Sequence, residues 1–119
     1  SNNILIYALI YNENLISVYI YRNPCLSYYS NNCIELISSI HTNNIDNNIY
    51  INGFILSLNS INKFMKFKTI LIENISSNNI VINYLKKNKI LYYINCPSAF
   101  FLYNYACYSF DPTKCFLIY

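Results

Sequence analysis

Apolar residues fall along the chain in runs that polar clusters interrupt, and the spacing inside each run predicts an element. Residues 3–11, NILIYALIY, are apolar after the asparagine, as in a buried strand. NEN at 12–14 is a turn signal, and LISVYIYR at 15–22 reads as the returning strand of a hairpin that Asn23-Pro24 ends. Cys33, Leu36, Ile37 and Ile40 stand at i, i+3, i+4 and i+7, which predicts a short helix capped by Ser30, Asn31 or Asn32. Asn52-Gly53 lies between two apolar runs and predicts a two-residue hairpin turn, because a type I′ turn needs positive φ at both central residues. The single glycine is thereby assigned to a turn or bulge between strands. Residues 63–73 continue the sheet and are apolar from Thr69 on, as a central strand would be. Ser76 or Ser77 is expected to cap a second helix over about 78–88, with Val81, Tyr84 and Leu85 on its apolar face. Pro97-Ser98 opens a third helix over about 98–109, Asp111-Pro112 closes it, and CFLIY follows.

The order is β-β-α-β-β, with or without a further strand, followed by helices: an α+β arrangement in a single domain of residues 1–119. The expected sheet is antiparallel, of about five strands, with helices on both faces. Composition agrees with a folded domain, since 55% of the 119 residues are hydrophobic and only 11% charged. The abundance of Ile, Asn and Tyr fits the codon bias of an AT-rich genome, such as that of a microsporidian or a large DNA virus. Most of the asparagines are then polar filler at the surface, not ligands. The charge-free stretch 90–110 has about the length of a bilayer span, but Asn95, Pro97, Ser98, Asn104 and its tyrosines suit a buried strand and helix better.

Little in the chain points to catalysis. The acids Glu13, Glu35, Asp46, Glu73 and Asp111 are spread singly over different elements, so no carboxylate pair is evident for acid–base work. One glycine rules out phosphate loops of the G-x-G-x-x-G and P-loop kinds, and G-x-S-x-G as well. His41 has no nucleophile or acid at a recognisable spacing, and is read as a surface residue at a helix end. The five cysteines, Cys25, Cys33, Cys96, Cys107 and Cys115, show no C-x-x-C and no zinc spacing. They are read as buried free thiols in a reducing compartment. A net charge of +3 is thin for a nucleic-acid surface, and Lys86, Lys87 and Lys89 suit the negative end of a helix dipole. No catalytic residue, cofactor, metal or nucleic acid is expected.

Several stretches resemble the longin-like domains of vesicle traffic, and among them the small chains of coat complexes, the zeta subunit of the COPI coat and the sigma chain of clathrin adaptors. ILIYALIYNENLISVYIY is similar to their opening hairpin, and IELISSI stands where their first helix stands. INGFILSLNSINKFMKFKTILIENI resembles the central meander, SSNNIVINYLKK the helix after it, and NCPSAFFLYNYACYSFDPTKCFLIY the family's ending. Asn104-Tyr105 replaces an acidic pair usual in the last helix, and the connection before it is short. The resemblance implies a longin-like (profilin-like) fold and a non-enzymatic structural subunit that packs against a large solenoid subunit. It further implies a cytoplasmic chain, peripheral on Golgi or endosomal membranes through the complex. The partner-facing surface is expected at Tyr19, Tyr21, Tyr28, Tyr29, Tyr92 and Tyr93, since the chain carries more apolar and aromatic residues than one core hides. Other readings are a TRAPP-type tethering subunit, a virus-encoded or parasite-specific interaction domain, and an RNA-recognition motif in which ILIENI (70–75) is the first strand and AFFLYNY (99–105) the base-stacking one.

Overall fold

The computed structural model describes residues 3–23, 33–42, 46–88, 92–93, 105–114 and 117 of the chain. The elements follow in the order β1 (Asn3–Tyr11), β2 (Asn14–Asn23), β3 (Cys33–His41), α1 (Asn47–Phe64), β4 (Thr69–Glu73), α2 (Asn79–Asn88), β5 (Tyr92–Tyr93) and β6 (Tyr105–Ser109). The strands make one sheet in the order β1-β2-β3-β4-β6-β5. The fold is α+β, as the sequence implied, and an open sheet flanked by helices is consistent with a longin-like arrangement. Two particulars differ from expectation. The β3–β4 pair is parallel, joined by the α1 crossover, so the sheet is mixed. Both described helices also pack on one face: residues of α1 and α2 share a core cluster with Tyr19, Tyr21, Ile34, Leu36, Ile70, Ile72 and Tyr108 of the strands.

The opening hairpin forms as predicted. Its turn residues Asn12 (φ 50) and Glu13 (φ 65) are both left-handed, as a type I′ turn demands. Asparagine tolerates that conformation, whereas glutamate bears about 1–2 kcal/mol of strain there. Glu13→Gly is therefore expected to stabilise the protein by about 1 kcal/mol, read as a higher urea midpoint at unchanged slope. An unchanged midpoint would show that the strain is absorbed elsewhere.

The predicted helix at 33–40 is a strand. Ile20 faces Ser38 and Tyr21 faces Leu36, so Ile37 is an extra residue bulged out of β3. Ile34 and Leu36 point to the helices before the bulge, Ser39 and His41 after it. This one-residue slip breaks the alternation of a strand and leaves apolar residues at helix-like spacing.

The predicted hairpin at Asn52-Gly53 lies inside α1. Asp46 caps the helix, its carboxylate accepting from the Asn48 amide at 2.9 Å. Tyr50, Ile51, Phe54, Ile55, Leu58 and Ile61 form its buried face at helical spacing. Gly53 is there for close approach, not for a turn. A Cβ on it would meet the Tyr19 hydroxyl first, then Leu9 Cδ2 at 2.8 Å and Tyr19 Cε2 at 3.0 Å. Alanine normally gains about 1 kcal/mol over glycine inside a helix, but overpacking costs about 1–3 kcal/mol. Hydrogen bonds to Ser17 and to the Tyr50 carbonyl hold Tyr19 in place, so the overpacking term prevails. Gly53→Ala is expected to lower stability by about 1–2 kcal/mol in urea titration, and a gain would show that helix and sheet can separate there.

The strand expected over 63–73 is confined to β4, residues Thr69–Glu73, because α1 runs through Phe64. The second helix forms as α2, preceded by a 3-10 turn at Ser76–Asn78, and Lys86 and Lys87 occupy its last turn. Ser76 and Ser77 lie in that turn; its N-cap position is Ile75, which makes no side-chain cap bond. The third helix expected over 98–109 is replaced at 105–109 by β6, and its earlier residues lie outside those described. Phe67 and Phe110 stack at 4.6 Å below the strand ends, fixed by the Phe110 amide donating to the Lys68 carbonyl at 2.8 Å.

The free-thiol reading is corrected as well. Cys33 and Cys107 are fully buried and both disulfide-bonded. They are not bonded to each other. Cys33 sits opposite Thr69 and Cys107 opposite Leu71, on strands either side of β4. Two strand spacings, about 9.5 Å, exceed the reach of a disulfide. Two separate disulfides therefore begin on β3 and β6.

Candidate functional site

One face of the sheet carries the helices. On the other, strand register aligns side chains in rows. Ile4 lies beside Arg22, and Arg22 beside Glu35. Next come Ile6, Ile20 and Ser38, then Ala8, Val18 and Ile40. At the hairpin end Ile10 lies beside Leu15, after Ile16 is bulged out of β2. Ile4 is 51% exposed, Ile6 66%, Ile10 58%, Leu15 54% and Ile40 56%. Apolar side chains this exposed, in adjacent rows on a rigid strand lattice, form a patch of the kind that soluble proteins cover with a partner. A charged pair bounds it on one side: Arg22 Nη1 donates to Glu35 Oε2 at 2.9 Å. The Glu35 side chain is only 2% exposed, so the arginine neutralises a buried carboxylate as well as rimming the patch.

Of the tyrosines expected from the sequence, the four that are described lie elsewhere. Tyr19 and Tyr21 are 1% and 0% exposed, so they belong to the core and offer nothing to a partner. Their hydroxyls tie the sheet to α1. Ser17 Oγ donates to the Tyr19 hydroxyl at 2.9 Å, and that hydroxyl donates to the Tyr50 carbonyl. Ser57 Oγ donates to the Phe54 carbonyl at 2.6 Å, so Tyr21, 2.5 Å away, is the donor to Ser57. Tyr92 and Tyr93 form β5, at the opposite edge from β1. Tyr28 and Tyr29 lie outside the described residues. The exposed isoleucines were missed because a continuously apolar run reads as buried on both faces, whereas β1 is buried on only one. His41 ends β3 and stacks on Tyr50 at 4.5 Å, a packing role and not that of a base.

Burial raises the phenol pKa of Tyr19 and Tyr21 well above 10.0, with the Ser17 and Ser57 hydroxyls opposing it, and raises that of Tyr50, where Ser39 opposes. The folded state thus keeps protons that the unfolded state releases near pH 10. The stability these groups contribute is complete below that pH and is lost as pH rises through the folded values. Urea-derived stability is expected to be flat in this respect to about pH 9. Above pH 10 it should fall by about 1.4 kcal/mol per pH unit for each withheld proton. Phenolate absorbance that reaches its full value for all fourteen tyrosines near pH 10 without unfolding would contradict the assignment.

The patch is stiffened from the side by Asn78, which is fully buried. β4 pairs with β3 only as far as Leu36, so the rest of β3 lacks a strand there. The Asn78 amide takes that place. Its Oδ1 accepts from the Ser39 amide and hydroxyl, both at 2.8 Å, and its Nδ2 donates to the Glu73 carbonyl at 2.8 Å and to the bulged Ile37 carbonyl at 3.4 Å. One side chain thereby continues the ladder past the end of β4 and sets the direction of Ser38 and Ile40.

Two concave features lie on the helical side. A groove of about 420 Å³ runs between the first turn of α1 and α2, lined by Asn47, Asn48, Ile51, Asn83, Tyr84 and Lys87 among others. A cleft of about 160 Å³ lies beside Gly53, between β1 and α1, with Tyr7, Leu9, Leu56 and Ser60 in its walls. Among the described residues, no three His, Cys, Asp or Glu side chains gather as a metal site would require, and no helix is long and apolar enough to cross a membrane. No protein-family model, curated protein or solved structure matches this chain.

Proposed function

We propose that this chain is a protein-interaction module that binds a partner protein through the outer face of β1, β2 and β3. The observation that carries the reading is the block of exposed isoleucines, Ile4, Ile6, Ile10 and Ile40, aligned in register on one rigid face. The narrower reading, a small structural subunit packed against the solenoid subunit of a vesicle coat, is supported by the same apolar surplus and by the opening hairpin. The disulfides of Cys33 and Cys107 weigh against it, because disulfides persist in oxidising compartments and are rare in the cytosol. RNA binding through residues 70–75 finds no support. Ile70, Leu71 and Ile72 are buried and have no surface on which a base would stack.

The test is a photo-crosslinking amino acid placed at Ile40 in cells that make the protein, with one at exposed Lys68 as control. A distinct protein captured at 40 and not at 68 is the expected result, and its identity separates coat from other partners. Equal capture at both positions, or none at 40, would overturn the proposal.

A further inference from the structure

β1 is an edge strand: among the described residues it pairs only with β2. An edge strand presents a row of unpaired backbone N–H and C=O groups, and natural proteins blunt long ones with lysine, proline or short length. β1 has nine residues and no charge, no proline and no glycine. Among the described residues the irregularity beside it is the bulge of Ile16, which lies on β2 opposite Leu9 and Ile10 and leaves β1 itself continuous. The chemistry that satisfies such an edge is another strand.

The sequence of β1 also names which strand. Placed antiparallel to itself about Tyr7, NILIYALIY matches apolar to apolar from Ile4 to Ile10, with Asn3 opposite Tyr11 at the ends. Ile4 comes opposite Ile10, Leu5 opposite Leu9, Ile6 opposite Ala8, and Tyr7 opposite its own copy. Residue parity is kept, so the outer rows stay outer and the core-facing rows stay inner. None of the molecule's charges lies on the strand, so its net +3 places no like charges directly across the junction. The helical side points the same way. The cleft beside Gly53 opens next to this edge, and Leu56 in its wall is 45% exposed. Half-buried Leu5, Tyr7 and Leu9 of a second copy would lie alongside it.

We propose that two copies pair through their β1 strands about a two-fold axis centred on Tyr7, joining two six-stranded sheets into one. The operation uses each β1 edge once, so it closes at two. It places the two outer faces side by side and doubles the apolar platform. The inference extends the interaction-module reading but stands apart in its test, since edge pairing engages the backbone of β1 and leaves Ile40 open.

The experiment is light scattering on the oxidised full chain at micromolar concentration, with hydrogen exchange on the same sample. The expected mass is about twice the 14.0 kDa of one chain. Amide protection is expected over the whole of β1, both the groups facing β2 and those facing outward. Ile6→Lys/Ile10→Lys places four lysines along the junction and is expected to weaken dimerisation at least tenfold. Ile40→Lys/Phe64→Lys changes the charge equally at exposed positions away from β1 and is expected to remain dimeric. Circular dichroism confirms that each variant folds. A monomeric wild type, assembly beyond two, or a dimer that the β1 variant leaves intact would overturn the proposal. So would loss of the dimer in the control, which would indicate stacking of the faces. Failure here with capture retained at Ile40 would remove the dimer and keep the interaction module.

Discussion

Reduction of the purified protein with dithiothreitol is expected to unfold it, or to lower its melting temperature by more than ten degrees. Two disulfides begin at Cys33 and Cys107, and a native disulfide in a small domain contributes about 2–5 kcal/mol. Set against the 5–15 kcal/mol typical of a whole domain, loss of both removes most of the margin. Each also ends at a fully buried sulfur, so reduction requires the sheet to open and should be slow without denaturant. Two measurements check this. Alkylation under denaturing, non-reducing conditions should modify at most one of the five cysteines, and all five after reduction. The single variants Cys33→Ala and Cys107→Ala should each cost a share of the stability, and the two shares should be separable because the bonds are distinct. Five reactive thiols before reduction would return the chain to the reducing compartment that its cysteine spacing first suggested.

The second large effect is expected at Asn78. Replacing it by leucine removes an acceptor shared by the Ser39 amide and hydroxyl, and two donated bonds to carbonyls. The Ser39 amide is then left buried with no strand beside it. A buried unsatisfied group costs about 1–3 kcal/mol, so Asn78→Leu should lose about 3–5 kcal/mol in total. Asn78→Asp is the informative companion. It keeps the acceptor for Ser39 but turns the donor into a second acceptor facing the Glu73 carbonyl. It should therefore be nearly as damaging at neutral pH and should recover in part when acid protonates the new carboxyl. If both variants melt like the wild type, the amide is a passenger, and some other contact ends the β3 ladder.

The same residues explain which parts of the fold were legible in the sequence. The hairpin of β1 and β2, the apolar strand from Thr69 and the helix near 79–88 are local features written in period and punctuation, and they appear where expected. The errors at 33–41 and 47–64 share one cause. A bulge at Ile37 shifted the phase of a strand until it counted like a helix. A glycine needed for clearance against Tyr19 counted like a turn. Both are tertiary demands, made by residues distant in sequence, and a local window cannot contain them. The helical spacing of Tyr50, Phe54, Ile55, Leu58 and Ile61 behind Asp46 was available as a competing signal and was the stronger one. The functional surface was hidden for a related reason. Apolar content showed that something had to be covered, but only the sheet order reveals that β1 lies at an edge with one face open.

Sheet order has a further consequence during synthesis. β6 separates β4 from β5, so the strand that completes the β4 ladder emerges from the ribosome well after β4 itself. At about 5–20 residues per second, the interval between Glu73 and Ser109 lasts roughly two to seven seconds. For that time the nascent chain holds a four-stranded sheet, β1 to β4, whose newest strand has one unpaired side. A chaperone that shields β-edges would find its moment there, and fast codons between β4 and β6 would shorten the exposure.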